Sequence, residues 1–194
     1  TFDRFNGRHQ DYQAARPSYA QEFLDWLGEL YAPPERYTAA DIGSGTGKLS
    51  AQLLAAGFRV CGVEPNPDMR GAAEALLGGD PRFSSSNGTD HDTGLPDRSV
   101  DMVAAAQAFH WFDGPAFARE CRRILRPGGR AVLVWNVRGS APVNQALAQV
   151  FREHCPSFHG FTGGMGEDDP RIRDFFFHHL AHPERGFGVL RAPV

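Results

Sequence analysis

Thr38-Ala39-Ala40-Asp41-Ile42-Gly43-Ser44-Gly45-Thr46-Gly47-Lys48-Leu49 is the stretch on which the fold turns. From about Thr38 to Ile42 it reads as a short strand. Three glycines at alternate positions then break the pattern. Leu49, Leu53 and Leu54 follow at helical spacing and give a helix one apolar face. A strand that passes through a glycine-rich turn into a helix is the opening unit of an open α/β sheet. In such a sheet this turn lies at the carboxyl edge of the strands, where ligands bind. Its glycines permit φ > 0 and let a ligand approach the backbone. Two phosphate-binding readings fail on spacing. The dinucleotide fingerprint Gly-x-Gly-x-x-Gly requires its third glycine at position 48, which is Lys48. A P-loop spaces its glycines more widely than Gly43 and Gly47 and follows its Lys with Ser or Thr, where this chain has Leu49.

Outward from that turn, strands and helices alternate. Upstream, Ser18 and Gln21 form a capping-box pattern after Pro17, and Tyr19, Phe23, Leu27 and Leu30 stand at helical spacing. They predict a helix from about Ser18 to Tyr31, stopped by Pro33-Pro34. Downstream, Gly57 is a natural helix C-cap, and Arg59 to Val63 reads as a buried strand. Asn66 is placed to cap a helix that begins at Pro67 and carries Met69, Ala72, Ala73, Leu76 and Leu77. Arg82 to Ser85 is a weak strand candidate, and Val100 to Ala106 a strong one. Asp113 would cap a helix with Phe117, Cys121, Ile124 and Leu125 on one face. Pro127-Gly128-Gly129 turns the chain into a strand from Ala131 to Trp135, and a helix follows over about Pro142 to His154. Gly160 to Gly166 reads as a loop, and Phe175-Phe176-Phe177 as a buried strand. The alternation predicts a parallel sheet covered by helices.

A chain of 194 residues suits one domain, and 41% hydrophobic with 22% charged residues is ordinary for a globular protein. We read residues 1–194 as a single domain. It comprises an opening segment and helix (1–37), a ligand-binding core (38–138) and an acceptor-side and sheet-edge region (139–194). The formal net charge of −3 and the lack of a basic block argue against nucleic acid as a partner. No apolar run is long enough to span a membrane. Cys61, Cys121 and Cys155 are odd in number and far apart, which predicts a reducing, cytoplasmic setting rather than a disulfide framework. The sequence begins at Thr1 rather than Met. Oligomeric state is not legible.

Glu64 closes the second predicted strand, 17 residues after Gly47. An acid at that place can accept both hydroxyls of a ribose. Seen alone it would equally be a solvated strand end; beside the glycine turn the ribose role is the better reading.

The ordered set of motifs resembles the class I S-adenosylmethionine-dependent methyltransferase family, a Rossmann-like α/β fold. It comprises Asp41 to Gly47, Glu64 to Met69, Gly88-Thr89, Leu95-Pro96-Asp97, Ser99-Val100-Asp101 and Leu125 to Arg130. The segment Ala106-Gln107-Ala108-Phe109-His110-Trp111-Phe112-Asp113, with Phe5, Tyr12, Arg16-Pro17 and Tyr19, is similar to the trans-aconitate-type branch of small-molecule methyltransferases. The resemblance runs from about Phe5 to Arg138. It implies S-adenosylmethionine as cofactor, with Gly43, Ser44, Gly45 and Gly47 passing under its methionine part and Asp41 orienting that loop. It places Glu64 on the ribose hydroxyls, and Pro65, Asn66 and Met69 along the adenine. Thr89, Asp90 and His91 would lie at the adenine edge. The family often carries a small residue and then an acid at positions 90 and 91; this chain departs from that, which moves the expected adenine contact to Asp90. Gln107 would face the methionine carboxylate or the methyl group, and Tyr12 and Arg16 would fold over the site as a lid. The family's sheet normally ends in an antiparallel pair of strands, for which the tail offers one convincing candidate at most.

Two readings of His110 compete. In one, Trp111 and Phe112 pack the core and His110 satisfies a local hydrogen bond. In the other, His110 stands beside the methyl acceptor as a polar contact or base. Arg16 and Arg138 are candidates to pair with an acceptor carboxylate, or are surface residues. His178, His179 and His182 lack evident partner acids, so we expect a loop cluster and no metal site. The expected activity is methyl transfer to a small-molecule acceptor. The alternatives are a cofactor-binding regulatory or assembly module and a nucleic-acid methyltransferase. The Asn/Asp-Pro-Pro-aromatic signature of amino-methylating nucleic-acid enzymes is absent, because Gln107-Ala108-Phe109-His110 stands in its place.

Overall fold

Five strands form one parallel sheet in the order β3-β2-β1-β4-β5, in a computed structural model that describes residues 18–136, 142–155 and 169–176. The strands are β1 (Thr38–Ile42), β2 (Arg59–Val63), β3 (Phe83–Ser86), β4 (Val100–Ala106) and β5 (Leu125–Val134). The helices are α1 (Gln21–Leu30), α2 (Lys48–Ala55), α3 (Pro67–Leu77), α4 (Gly114–Ile124), α5 (Pro142–His154) and α6 (Pro170–Asp174). The order reverses beside β1, whose neighbours are β2 and β4. This is the helix-covered parallel sheet that the alternation predicts and the Rossmann-like α/β fold that the resemblance implies, and the reversal opens a crevice at the carboxyl ends of these strands.

Apolar residues cover both faces of the sheet, which is why its central strands read as nearly unbroken apolar runs. On one face Ala39, Val60, Met102 and Ala104 pack with Phe23, Leu24 and Leu27 of α1 and Leu49, Leu53 and Leu54 of α2. On the other, Ala40, Ile42, Val63, Val103 and Ala105 pack with Phe117, Cys121 and Ile124 of α4 and with Ile172. Asn66 caps α3, its Oδ1 accepting from the N–H groups of Asp68 and Met69, both at 3.0 Å. Asp113 caps α4 by accepting from Ala116 N–H at 3.0 Å. After α2 the N–H groups of Gly57 and Phe58 donate back to Leu54 and Leu53, which completes the expected helix stop.

Several expectations need correction. Helix α1 starts at Gln21 with Ala20 at its cap position and no capping side chain, so the Ser18/Gln21 box does not form. Gln21 instead donates to Asp25 one turn on. Strand β5 begins earlier than Ala131. Leu125 pairs with Val100 and Arg130 with Met102, so Arg126 to Gly129 bulge out between two paired residues. Phe175 and Phe176 continue the helical path of α6 rather than forming a strand, because Asp169 caps that helix and Phe175 turns into the core against Phe117 and Phe109. Phe177, the Gly160–Gly166 loop and the three C-terminal histidines lie outside the described residues. No antiparallel strand pair occurs among the described residues, and no helix there is long and apolar enough to cross a membrane.

Candidate active site

The glycine turn is shaped by its backbone. Gly43, Gly45 and Gly47 have φ of 69°, 57° and 82°, all left-handed. A Cβ on Gly43 would stand 2.8 Å from Cβ of Ala108, and one on Gly47 2.9 Å from Leu77. The turn is therefore pressed between the end of β4 on one side and α3 on the other, and only glycine fits. Its first two N–H groups, of Gly43 and Ser44, donate to Val63 O at the end of β2, and Gly47 N–H donates to Ser44 O.

Two acids sit beneath and beside this turn. Asp41, the penultimate residue of β1, is 1% exposed. Its Oδ2 accepts from Ser50 Oγ at 2.7 Å, while its Oδ1 is buried without a hydrogen-bond partner. Burial pushes its carboxyl up to about 6, against the opposing pull of the Ser50 hydrogen bonds. Glu64, just past β2, is also buried. Its Oε2 accepts from Gly45 N–H and its Oε1 from Asn66 N–H, both at 2.9 Å. Burial raises the Glu64 pKa; the N–H groups of Asn66 and Gly45 and the charge of Arg70 offset part of that rise. Glu64 is thus not a solvated strand end. It staples the glycine turn to the start of α3, and each carboxylate oxygen keeps a further lone pair for a donor.

The remaining sequence candidates divide by position. Met69 is buried, its methyl 3.5 Å from where a Cβ of Gly45 would be, while the Asn66 side chain is committed to capping α3 and Pro65 is half-buried beside it. Thr89 and Asp90 lie past β3. Thr89 N–H donates to Asp92 O, and Asp90 accepts from Asp113 N–H at 3.1 Å through Oδ2 and contacts His91 Nδ1 at 3.1 Å through Oδ1. Gln107 follows β4 with φ of 57°, rare for a residue with a side chain. Its N–H donates to Val134 O and its Nε2 to Asn136 O, which fixes it across the ends of β4 and β5. Tyr12 and Arg16 lie outside the described residues, as does Arg138. Ser18 O, where the described chain begins, accepts from Asn136 Nδ2 at 3.3 Å, and Gln52 grips both backbone groups of Tyr19.

The turn after β4 corrects one expectation. Phe109–Trp111 forms a 3₁₀ turn, in which residues three apart share a side. Phe109 and Phe112 both face inward onto Phe117. Trp111 is left 50% exposed, not in the core. His110 is half-buried, its ring centroid 4.9 Å from that of Trp111. Two further residues escaped the sequence reading. Ser50 Oγ donates to Asp41, and Arg70 Nη1 joins Glu64 O at 2.8 Å to Asn87 Oδ1 at 3.1 Å. Both sit near the start of their helices, α2 and α3, and are polar residues that apolar periodicity does not single out.

Comparison with known proteins decides what this crevice belongs to. A methyltransferase domain is matched over residues 40–133. A solved structure from Anaeromyxobacter dehalogenans, assigned as a type II methyltransferase, is 33% identical with a TM-score of 0.59, over 92% of this chain and 70% of that one. This chain belongs to the class I S-adenosylmethionine-dependent methyltransferases. An uncharacterized methyltransferase of Mycobacterium tuberculosis is 42% identical over 127 residues, 66% of this chain and 49% of that protein. One from Schizosaccharomyces pombe is 32% identical over 147 residues, 75% of this chain and 57% of the relative. The chain spans about half the length of these curated relatives. The methyltransferase cofactor suits what the crevice offers: a buried acceptor, Asp41 Oδ1, that lacks a donor, and a turn whose three glycines hold left-handed backbone with no side chain over it at Gly43, Gly45 and Gly47.

Proposed function

We propose that this chain binds S-adenosylmethionine at the carboxyl edge of β1 and β2 and transfers its methyl group to a small-molecule acceptor, a carboxylate of the kind used by the trans-aconitate-type branch. The observation that carries the reading is the joint placement of Glu64 and the glycine turn, tied to each other by the Gly45 N–H. Bound there, the cofactor supplies a methyl group already activated by a sulfonium. The chain's own residues do the rest by binding and orientation. Asp41 and the glycine turn hold the methionine end. Glu64 accepts the ribose hydroxyls, and Pro65, Asn66, Met69, Thr89 and Asp90 border the adenine. Gln107, at the end of β4, faces the reacting end. His110 and Trp111 shape the acceptor side, and Tyr12 and Arg16 close over it; the described chain enters beside Asn136, at that edge. A carboxylate acceptor is ionised at neutral pH and needs no base, so His110 positions rather than deprotonates. The net charge of −3 supports a small acceptor over nucleic acid, and the spaced, buried cysteines Cys61 and Cys121 support a cytoplasmic setting.

Calorimetry with S-adenosylhomocysteine and with NAD tests the binding half. The homocysteine analogue binds and NAD does not compete. Glu64→Ala weakens binding by about 1–3 kcal/mol, the scale of lost charged hydrogen bonds. A panel of small acids with methyl-labelled cofactor tests the transfer half. Tight binding with no label reaching any acceptor reduces the chain to a cofactor-holding module; tight NAD binding alone removes the reading altogether.

A further inference from the structure

The segment between β3 and β4 carries Thr89 and Asp90 and has no regular structure of its own, yet it is held at three levels along α4. At the start of the helix, Asp113 N–H donates to Asp90 Oδ2 at 3.1 Å. Midway, Glu120 Oε1 accepts from both Thr93 N–H at 2.9 Å and Thr93 Oγ1 at 2.6 Å. At the end, Arg123 donates to Leu95 O at 2.8 Å and to Asp97 at 2.7 Å. Thr93 is the hub. It is 0% exposed, its carbonyl accepts from Ser86 Oγ at 2.8 Å, and its Oγ1 accepts from Leu95 N–H at 3.2 Å. Gly88 lies so close that a Cβ there would meet Thr93 O at 2.5 Å. Glu120 is itself 6% exposed, and a buried carboxylate is retained only if it is paired. Arg123 supplies that pair through Nε at 2.7 Å and Nη2 at 2.6 Å.

Nothing in the packing of α4 requires this acid. Phe117, Ala118, Cys121 and Ile124 already bury that helix, and an apolar residue at 120 would cost less desolvation. What the carboxylate does achieve is to fix Thr93, three residues from Asp90, against a rigid helix. We propose that Glu120, acting through Thr93, is a positioning residue that sets the adenine-edge loop, and with it Asp90, for recognition of the cofactor's 6-amino group. The inference rests on the reading of Asp90 as an adenine contact.

The test compares affinities of the full chain for S-adenosylhomocysteine and S-inosylhomocysteine, which replaces the 6-amino donor with an oxo group. The unaltered chain prefers the adenine form by about tenfold or more, the scale of a hydrogen bond to a charged acceptor. Asp90→Ala abolishes the preference. Thr93→Val, nearly isosteric, and Glu120→Ala each reduce it below about threefold, while Thr93→Ser, which keeps the hydroxyl, retains it. A purely structural role lowers both affinities together and leaves their ratio intact. That result in Thr93→Val, with Asp90→Ala still losing the preference, overturns the role of Glu120. A preference that survives Asp90→Ala removes Asp90 from the adenine edge, and the proposal falls with it by a separate route.

Discussion

The turns after β1 and β4 stand side by side at the carboxyl edge, Gly43 pressed against Ala108, but they are built in opposite ways. The turn after β1 is fastened throughout. Its N–H groups donate to Val63 and Glu64, Asp41 lies beneath it, and Gly43 and Gly47 leave no room for a Cβ. The turn after β4 has one anchored half. Phe109 and Phe112 are locked into an aromatic cluster with Phe117, while His110 and Trp111 face the other way, Trp111 half in solvent. A chain that must accept one fixed cofactor can make that half of its site rigid. In the proposed reading the other half meets the acceptor; it presents side chains on a fixed scaffold, and these can differ without disturbing the core.

The comparison breaks most sharply at Gly43. Alanine there must hold φ of 69° and place its Cβ 2.8 Å from Ala108. Left-handed strain and overpacking together predict a loss of roughly 3–4 kcal/mol in urea unfolding. S-adenosylhomocysteine binding should fall with it. A loss below about 0.5 kcal/mol would mean that the two turns are not in close contact.

Asp41 predicts the next largest effect, and it depends on pH. Its carboxyl ordinarily titrates at 3.8 and is raised to about 6 in the fold. The folded chain therefore holds this proton more tightly than the unfolded one, and stability falls as pH rises from about 4 to about 6. The gap corresponds to about 3 kcal/mol. Asp41→Asn cannot titrate, so the difference in unfolding free energy between it and the unaltered chain should change by about that amount across the window. Parallel pH profiles would show that Asp41 is not the buried, half-satisfied acid described above.

How far the sequence foretells these two turns follows from the same contrast. The glycine turn announces itself because its constraint is local: a backbone that needs positive φ three times in five residues needs glycine each time. The caps at Asn66 and Asp113 are legible for the same reason, since the side chain bonds N–H groups two or three residues on. Other features depend on partners far along the chain. Ser18 and Gln21 match a cap pattern, but Tyr19 is held by Gln52, 33 residues away, and the helix starts later. Of the two readings of the turn after β4, the one that packs Trp111 into the core rests on hydrophobicity alone, yet its neighbours Phe109 and Phe112 take the inward side of a short turn. Glu120 reads as one more surface charge on α4 until the fold brings Thr93 to it across 27 residues.

The smallest expected effect on stability is the most informative about function. Trp111 is 50% exposed, and it belongs to neither of the apolar clusters packed on the sheet. Trp111→Ala should change unfolding free energy by less than about 0.5 kcal/mol, the range of ordinary surface substitutions. Its cofactor affinity should not move, because the residues pressed against Gly43 are Ala108 and Phe112 rather than Trp111. If the indole borders the acceptor, the loss appears in acceptor KM with kcat nearly kept, which is the signature of binding shared equally by ground and transition states. His110→Ala distinguishes shape from proton chemistry on the same turn. With a carboxylate acceptor it also acts on KM and leaves the pH profile of kcat unchanged, since no proton leaves the acceptor. A hydroxyl acceptor would need a base, and His110→Ala would then lower kcat by roughly 10²–10⁴-fold and erase the rise near the histidine pKa. Unchanged KM and kcat in both variants would take the turn after β4 out of the acceptor site and leave that role to the segments beyond β5.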